Sequence, residues 1–256
     1  MGRSHLLSAA RSLVLLACFA CDSKPDVAPA PAASGLAPST AAATATTRAF
    51  VVDPASTTTI DMPGKDEHIK ARTSAAKGTF TIEPGALQNS RGEVRIDLAS
   101  LTTNTFEDAK KNADQTTHAR TWLEAVVEGA VKEEHRYAVL AVRSLDVAGT
   151  SDLSKVPLNA GTRQVKAVVH GDVLVHGHKV ERAIPVVLDF AYANGGAAVA
   201  SNALRIRTEK PLNIVLKEHE VMPRDPVGKV LIWTSELASR VATDANVDVD
   251  LKAAAK

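Results

Sequence analysis

Residues 167–192 read AVVHGDVLVHGHKVERAIPVVLDFAY. Ala167, Val169, Val173 and Val175 alternate with Val168, His170, Asp172 and Leu174; Ile184, Val186, Leu188, Phe190 and Tyr192 then form a same-parity row. Successive side chains of a strand point to opposite faces, so a period of two with one apolar face predicts strands covering a common interior. His176 and Gly177 part the two runs at a turn signal.

The same alternation recurs on both sides of this stretch. Phe80 and Ile82 alternate with Thr79, Thr81 and Glu83, and Val94, Ile96 and Leu98 with Glu93, Arg95 and Asp97. Val139, Ala141 and Leu145 share a parity with Tyr137, and Val247, Val249 and Leu251 alternate with Asp248, Asp250 and Lys252. Turn signals at Pro84-Gly85, at Ser90-Arg91-Gly92 and at Asn194-Gly195-Gly196 divide the runs. Many short antiparallel strands at near-regular spacing predict a mainly β chain, a sandwich or a barrel. Two helical stretches interrupt the pattern. Thr105 to Asp108 reads as a helix cap, with Phe106, Ala109 and Ala113 following at helical spacing and His118, Trp122 and Leu123 on a second short turn. Asp225-Pro226 begins a C-terminal amphipathic helix whose stripe is Val230, Trp233, Leu237 and Val241.

Composition narrows the function classes. Thirty Lys and Arg face 29 Asp and Glu, a formal charge of +1. That balance argues against a nucleic-acid partner, because a non-specific grip on phosphates needs a surplus of cations. Aromatic residues make up 4% of the chain, so the core rests on Val, Leu, Ile and Ala. The apolar run that comes nearest to a membrane span lies at the N-terminus, within residues 1–21. Its basic start at Arg3 and Arg11 and its short apolar core have the layout of a secretory signal. Leu15-Leu16-Ala17-Cys18 resembles a bacterial lipobox, which implies lipidation at Cys18 and a membrane anchor; Cys21 is the alternative acceptor. Residues 22–48, rich in Ala, Pro, Ser and Thr, read as a disordered tether, and residues 49–256 as the folded domain. With no further cysteine in the chain, the domain has no disulfide framework and no thiolate metal site.

Several local motifs together resemble the YceI-like family. They are Val51-Val52-Asp53-Pro54-Ala55-Ser56, Lys77 to Pro84, Gly92 to Thr103, and Val169 to Val180 leading into Ala183-Ile184-Pro185-Val186. His118-Ala119-Arg120-Thr121-Trp122-Leu123 stands where the family carries a helical motif and matches it in part, while Glu209-Lys210-Pro211-Leu212 replaces a later family motif. The resemblance implies an eight-stranded antiparallel lipocalin-like barrel at the bacterial cell envelope, holding a polyisoprenoid or another apolar lipid such as a quinone. In such a barrel the inward row supplies the lining: Phe80, Ile82, Val94, Ile96, Leu98, Trp122, Val139, Val173, Val175, Val186, Leu188 and Phe190. Small aliphatic walls leave room for a slender apolar guest and offer no partner to a hydrophilic one.

Chemistry is sparse by comparison. The chain has no GxSxG, GxGxxG, phosphate-loop or HExxH motif. Asp66-Glu67-His68, Glu133-Glu134-His135 and Glu218-His219-Glu220 read as solvated turns, since strand neighbours point opposite ways. His170, His176 and His178 share a parity opposite Val169, Val173 and Val175, which turns them toward water. The expectation is binding without catalysis, cofactor or metal. Two alternatives are a filled barrel docking an unknown protein partner through the C-terminal helix, and a metal enzyme built on those histidines.

Overall fold

A computed structural model describes residues 47–66, 68–193, 200–224, 229–232, 234–238 and 240–256. The strands among them are β1 (Arg48–Val52), β2 (Thr57–Pro63), β3 (His68–Thr73), β4 (Ala76–Ile82), β5 (Arg91–Asp97), β6 (Thr102–Thr103), β7 (Val126–Val127) and β8 (Ala130–Val131). They continue as β9 (Tyr137–Val147), β10 (Leu158–Asn159), β11 (Thr162–Val175), β12 (His178–Ala191), β13 (Ala203–Thr208), β14 (Leu212–Val215) and β15 (Asp244–Ala255). The α-helices among the described residues are α1 (Ala109–Trp122) and α2 (Ser235–Ala238).

The fold grows from the long alternating run. β11 and β12 pair along their whole length, from Thr162 against Ala191 to Val175 against His178. The loop between them is two residues long, and both take positive φ, 51° at His176 and 77° at Gly177. That is the turn geometry whose twist matches paired strands, and the second position suits Gly because it carries no Cβ. Pro185 sits inside β12 without breaking it. Its carbonyl accepts from Glu209 N just past the end of β13, so its missing N–H faces the side where the neighbouring strand has stopped.

From this hairpin a ring closes in the order β1, β4, β5, β9, β11, β12, β13, β15, every pair antiparallel, with β15 returning to β1 through Phe50 opposite Ala255. The chain is an eight-stranded barrel of the lipocalin-like kind, and closure removes the free edges of those strands. β15 is long enough to serve two neighbourhoods. Its second half closes the ring, while its first half pairs with β2 on one side and β14 on the other, and β3 and β6 extend from β2. Inward residues of the ring strands and of β2, β3 and β14 merge into one buried cluster dominated by Val, Leu, Ile and Ala.

Four sequence expectations change. Strand β9 carries a bulge: Gly171 pairs with Val142 but His170 with Ser144, leaving Arg143 as the extra residue. A Cβ at Gly171 would lie 2.4 Å from the Ala141 carbonyl oxygen, so the close approach there needs glycine. The bulge reverses parity along β9. Leu145 therefore faces in together with Ala138, Leu140 and Val142, whereas Val139 and Ala141 pair with the outward row at Leu174 and Asp172. The early helix is one element, not two turns. Asp108 caps it by accepting from Lys111 N, and Phe106 lies outside it, exposed. Strand β5 ends at Asp97, so Leu98 opens a short 3-10 turn instead of extending the strand, and it is buried all the same.

The C-terminal helix expected over Asp225–Val241 is not formed as one element. Val230 bridges back to Arg224, Leu231 N donates to the Pro223 carbonyl, and Ile232 is exposed. Helix begins only at α2, where the Thr234 hydroxyl accepts from Leu237 N. The internal Thr234 cap outweighs the apolar spacing. The signal segment, Cys18, Cys21 and the tether up to residue 46 lie outside the described residues, as do Asn194-Gly195-Gly196, residues 225–228 and Trp233.

Candidate functional site

Two adjoining cavities occupy the barrel interior, of about 130 Å3 and about 90 Å3. Ile96, Ala138, Val175, Ile214 and Val247 border both, so the two cavities share a wall. The upper cavity lies inside the ring. Of the residues expected as lining, Phe80, Ile82, Val94, Ile96, Val173, Val175, Val186 and Leu188 border it. Val139 also borders it, although its ladder partners Arg95 and Leu174 belong to the outer row. Phe190, the next inward residue of β12 after Leu188, is fully buried and lies beyond the cavity.

The lower cavity is roofed by α1. Ala119, Trp122 and Leu123 reach it from the helix, and Leu98 borders it from its 3-10 turn. A fourteen-residue helix with only Gln115, Ala119 and Trp122 buried has a narrow apolar stripe, which serves to cover the barrel end. Trp122 supplies the bulk of that cover. Its indole Nε1 donates to the Arg224 carbonyl at 3.0 Å and lies 2.7 Å from His118 Nε2. The polar tip is thus satisfied by protein, and the apolar face is what the cavity meets.

Sequence reasoning missed the polar residues of these walls, Ser90, Arg91 and Thr208 at the upper cavity and Thr58 at the lower. Thr58, on β2, borders the lower cavity, and its buried hydroxyl has no hydrogen-bond partner among the described residues. Its position in an alternating Thr run, Thr57-Thr58-Thr59, gave no signal of which hydroxyl turns inward. Leu140, Ile206 and Leu212 are further lining residues that the bulge and the late strands bring in.

The histidines depart from expectation. His170 does lie on the outer wall, where its Nε2 is 2.7 Å from Asp146 Oδ2. His176 and His178 do not face water; their side chains are only 10% exposed. His176 Nδ1 donates to the His219 carbonyl at 3.2 Å, and its Nε2 lies 2.6 Å from Glu124 Oε2. His135 Nδ1 lies 3.6 Å from the same carboxylate oxygen. Arg224 donates to the other oxygen of Glu124. Burial works against ionisation of Glu124, but the hydrogen bond from His176 and the charge of Arg224 outweigh it and hold the carboxyl below its ordinary value. His135 is held below its ordinary value by burial and by the neighbouring His176. None of these partners is close in sequence, so spacing gave no warning of the cluster.

Comparison with known proteins adds the following. A family model described as YceI-like domain matches residues 50–253. A search of curated proteins finds no match. Among solved structures, a polyisoprenoid binding domain from Saccharophagus degradans implicated in plant cell wall breakdown superposes with a TM-score of 0.51 at 15% identity, covering 82% of this chain and 99% of that one. Burkholderia cenocepacia BcnA aligns with a TM-score of 0.49 at 15% identity over 78% of this chain and 98% of that one.

Proposed function

Since the chain belongs to the YceI-like domain family, we propose that its barrel binds an apolar chain lipid, a polyisoprenoid or a quinone-like tail, without covalent chemistry. The carrying observation is the pair of adjoining apolar cavities, one in the ring interior and one on the underside of α1. Their walls offer hydrocarbon almost throughout, so a guest gains by leaving water and is discriminated by shape. An engineered cavity of about 150 Å3 takes up benzene, so each compartment suits a short hydrocarbon segment before any side chain moves. Longer guests require the aliphatic walls to yield or the tail to leave by the α1 end.

We propose that residues 1–21 export the chain, that Cys18 (or Cys21) carries the lipid anchor, and that residues 22–48 hold the barrel near a membrane of the bacterial envelope, where such lipids reside. Metabolic labelling with radioactive palmitate tests this: Cys18→Ser is expected to abolish incorporation, and undiminished labelling in the Cys18→Ser, Cys21→Ser double variant would refute lipidation here.

Organic-solvent extraction of purified protein followed by mass spectrometry tests the ligand. A long-chain lipid near one equivalent is expected. A folded barrel that yields no lipid, and takes up none when offered prenol, would mean a filled barrel and overturn the reading. Val173→Trp places an indole in the upper cavity and is expected to weaken retention about tenfold or more, or about 1.4 kcal/mol.

A further inference from the structure

From the convergence of Glu124, His135 and His176, we propose that the α1 end of the barrel holds a divalent transition-metal site, best suited to Zn2+. One ligand atom from each residue lies within 4.8 Å of the others. Two imidazoles and one carboxylate form a donor set that zinc accepts, with a fourth position left for water.

The three ligands come from three separate segments. Glu124 follows the end of α1, His135 stands in the turn before β9, and His176 is the first loop residue of the β11–β12 hairpin. Two of them sit on left-handed backbone, with φ of 49° at Glu124 and 51° at His176. At His176 the hairpin turn requires that conformation, and it sets the direction in which the side chain leaves the loop. The rings of His135 and His176 lie with centroids 4.0 Å apart and planes tilted by 37°.

The surroundings orient the set. The His219 carbonyl accepts from His176 Nδ1, which turns Nε2 toward Glu124. Arg224 holds the second oxygen of Glu124. Outer partners of this kind fix ring tautomer and carboxylate direction at metal centres. All three side chains are sheltered, at 10% exposure for His176, 24% for His135 and 27% for Glu124.

Distances are compatible with loading. Ligand atoms around a tetrahedral zinc lie about 3.3 Å apart given bonds of about 2.0–2.1 Å. The 3.6 Å between His135 and Glu124 matches; the 2.6 Å between His176 and Glu124 has to open by less than 1 Å, replacing a hydrogen bond with a bond to metal. His178, with its ring centroid 6.2 Å from that of His176, pairs with Glu220 and stays outside the set. A bound ion would tie the helix end, the turn before β9 and the hairpin together.

The experiment uses the untagged full chain, stripped with chelator and titrated with Co2+ by visible absorption and with Zn2+ by calorimetry. One equivalent is expected, with the intense bands of tetrahedral Co2+, and Zn2+ is expected to raise the melting temperature. Glu124→Gln and His135→Gln should each weaken binding at least about tenfold and remove the melting shift, while His170→Gln leaves both unchanged. Because a substitution could perturb folding, the unsubstituted protein is also followed by NMR of its histidine rings: His135 and His176 should shift on adding one equivalent of Zn2+, and His170 should not. Absence of binding at millimolar metal, or binding indifferent to both substitutions, would overturn the site.

Discussion

The two compartments of the barrel interior are built on different principles. The upper one is walled by strand residues whose inward direction follows from alternation, and Val173, Val186 and Leu188 need nothing more than their parity to be placed there. The lower one is closed by a helix, a 3-10 turn and a loop, and beside it stands a polar cluster whose members lie up to 100 residues apart, as Glu124 and Arg224 do. A wall made by repetition tolerates a guest of variable length. A lid made by single contacts has one way of being assembled, and each contact can be removed alone.

Substitutions can break that contrast. Phe190→Ala beyond the upper cavity and Trp122→Ala in the lid each empty a buried site and should cost about 3–5 kcal/mol in urea unfolding. Only Trp122→Ala should also alter ligand uptake, since Phe190 borders neither cavity; equal effects on uptake would erase the distinction between the ends.

Acid should loosen the lid end first. His219 is fully buried, and its proton affinity is lowered first by burial and further by the charge of Arg182, with partial relief from its bond to the His178 carbonyl and from Glu218. A histidine whose folded value lies below its unfolded 6.5 takes up protons more readily when unfolded. Stability is therefore complete above about pH 6.5 and falls as the pH drops from there toward the lowered folded value. Denaturant melts in metal-free buffer between neutral and mildly acidic pH test this, and His219→Gln should flatten the slope.

Smaller effects sharpen the picture. Thr58→Val removes a buried hydroxyl without a partner and should stabilise the protein by about 1 kcal/mol in the absence of lipid. If a guest oxygen uses that hydroxyl, the same change should lower affinity for a prenol more than for the matching hydrocarbon. Ile232→Ser, at a side chain 81% exposed, should change stability by no more than about 0.5 kcal/mol.

Much of the architecture was legible because it rests on short-range periodicity. Period-two runs around Phe80, Val94, Val173 and Val186 follow from strand geometry alone, and the His176-Gly177 turn from its chemistry. The reading failed where one residue changes the count or where competing local signals met. The bulge at Arg143 brought Leu140 and Val142 into the inward row with Leu145, and the Thr234 cap started helix late in a stretch that has helical spacing from Val230 on.

By itself, then, the sequence determined a mainly β chain with apolar inner rows and a helix near Trp122, since each is a property of neighbours along the chain. Only the tertiary structure decided that the ring closes through β15, that the interior stays hollow, and that Glu124, His135 and His176 meet. Closure and convergence depend on the pairing of distant segments, and packing in three dimensions leaves no mark at any fixed spacing.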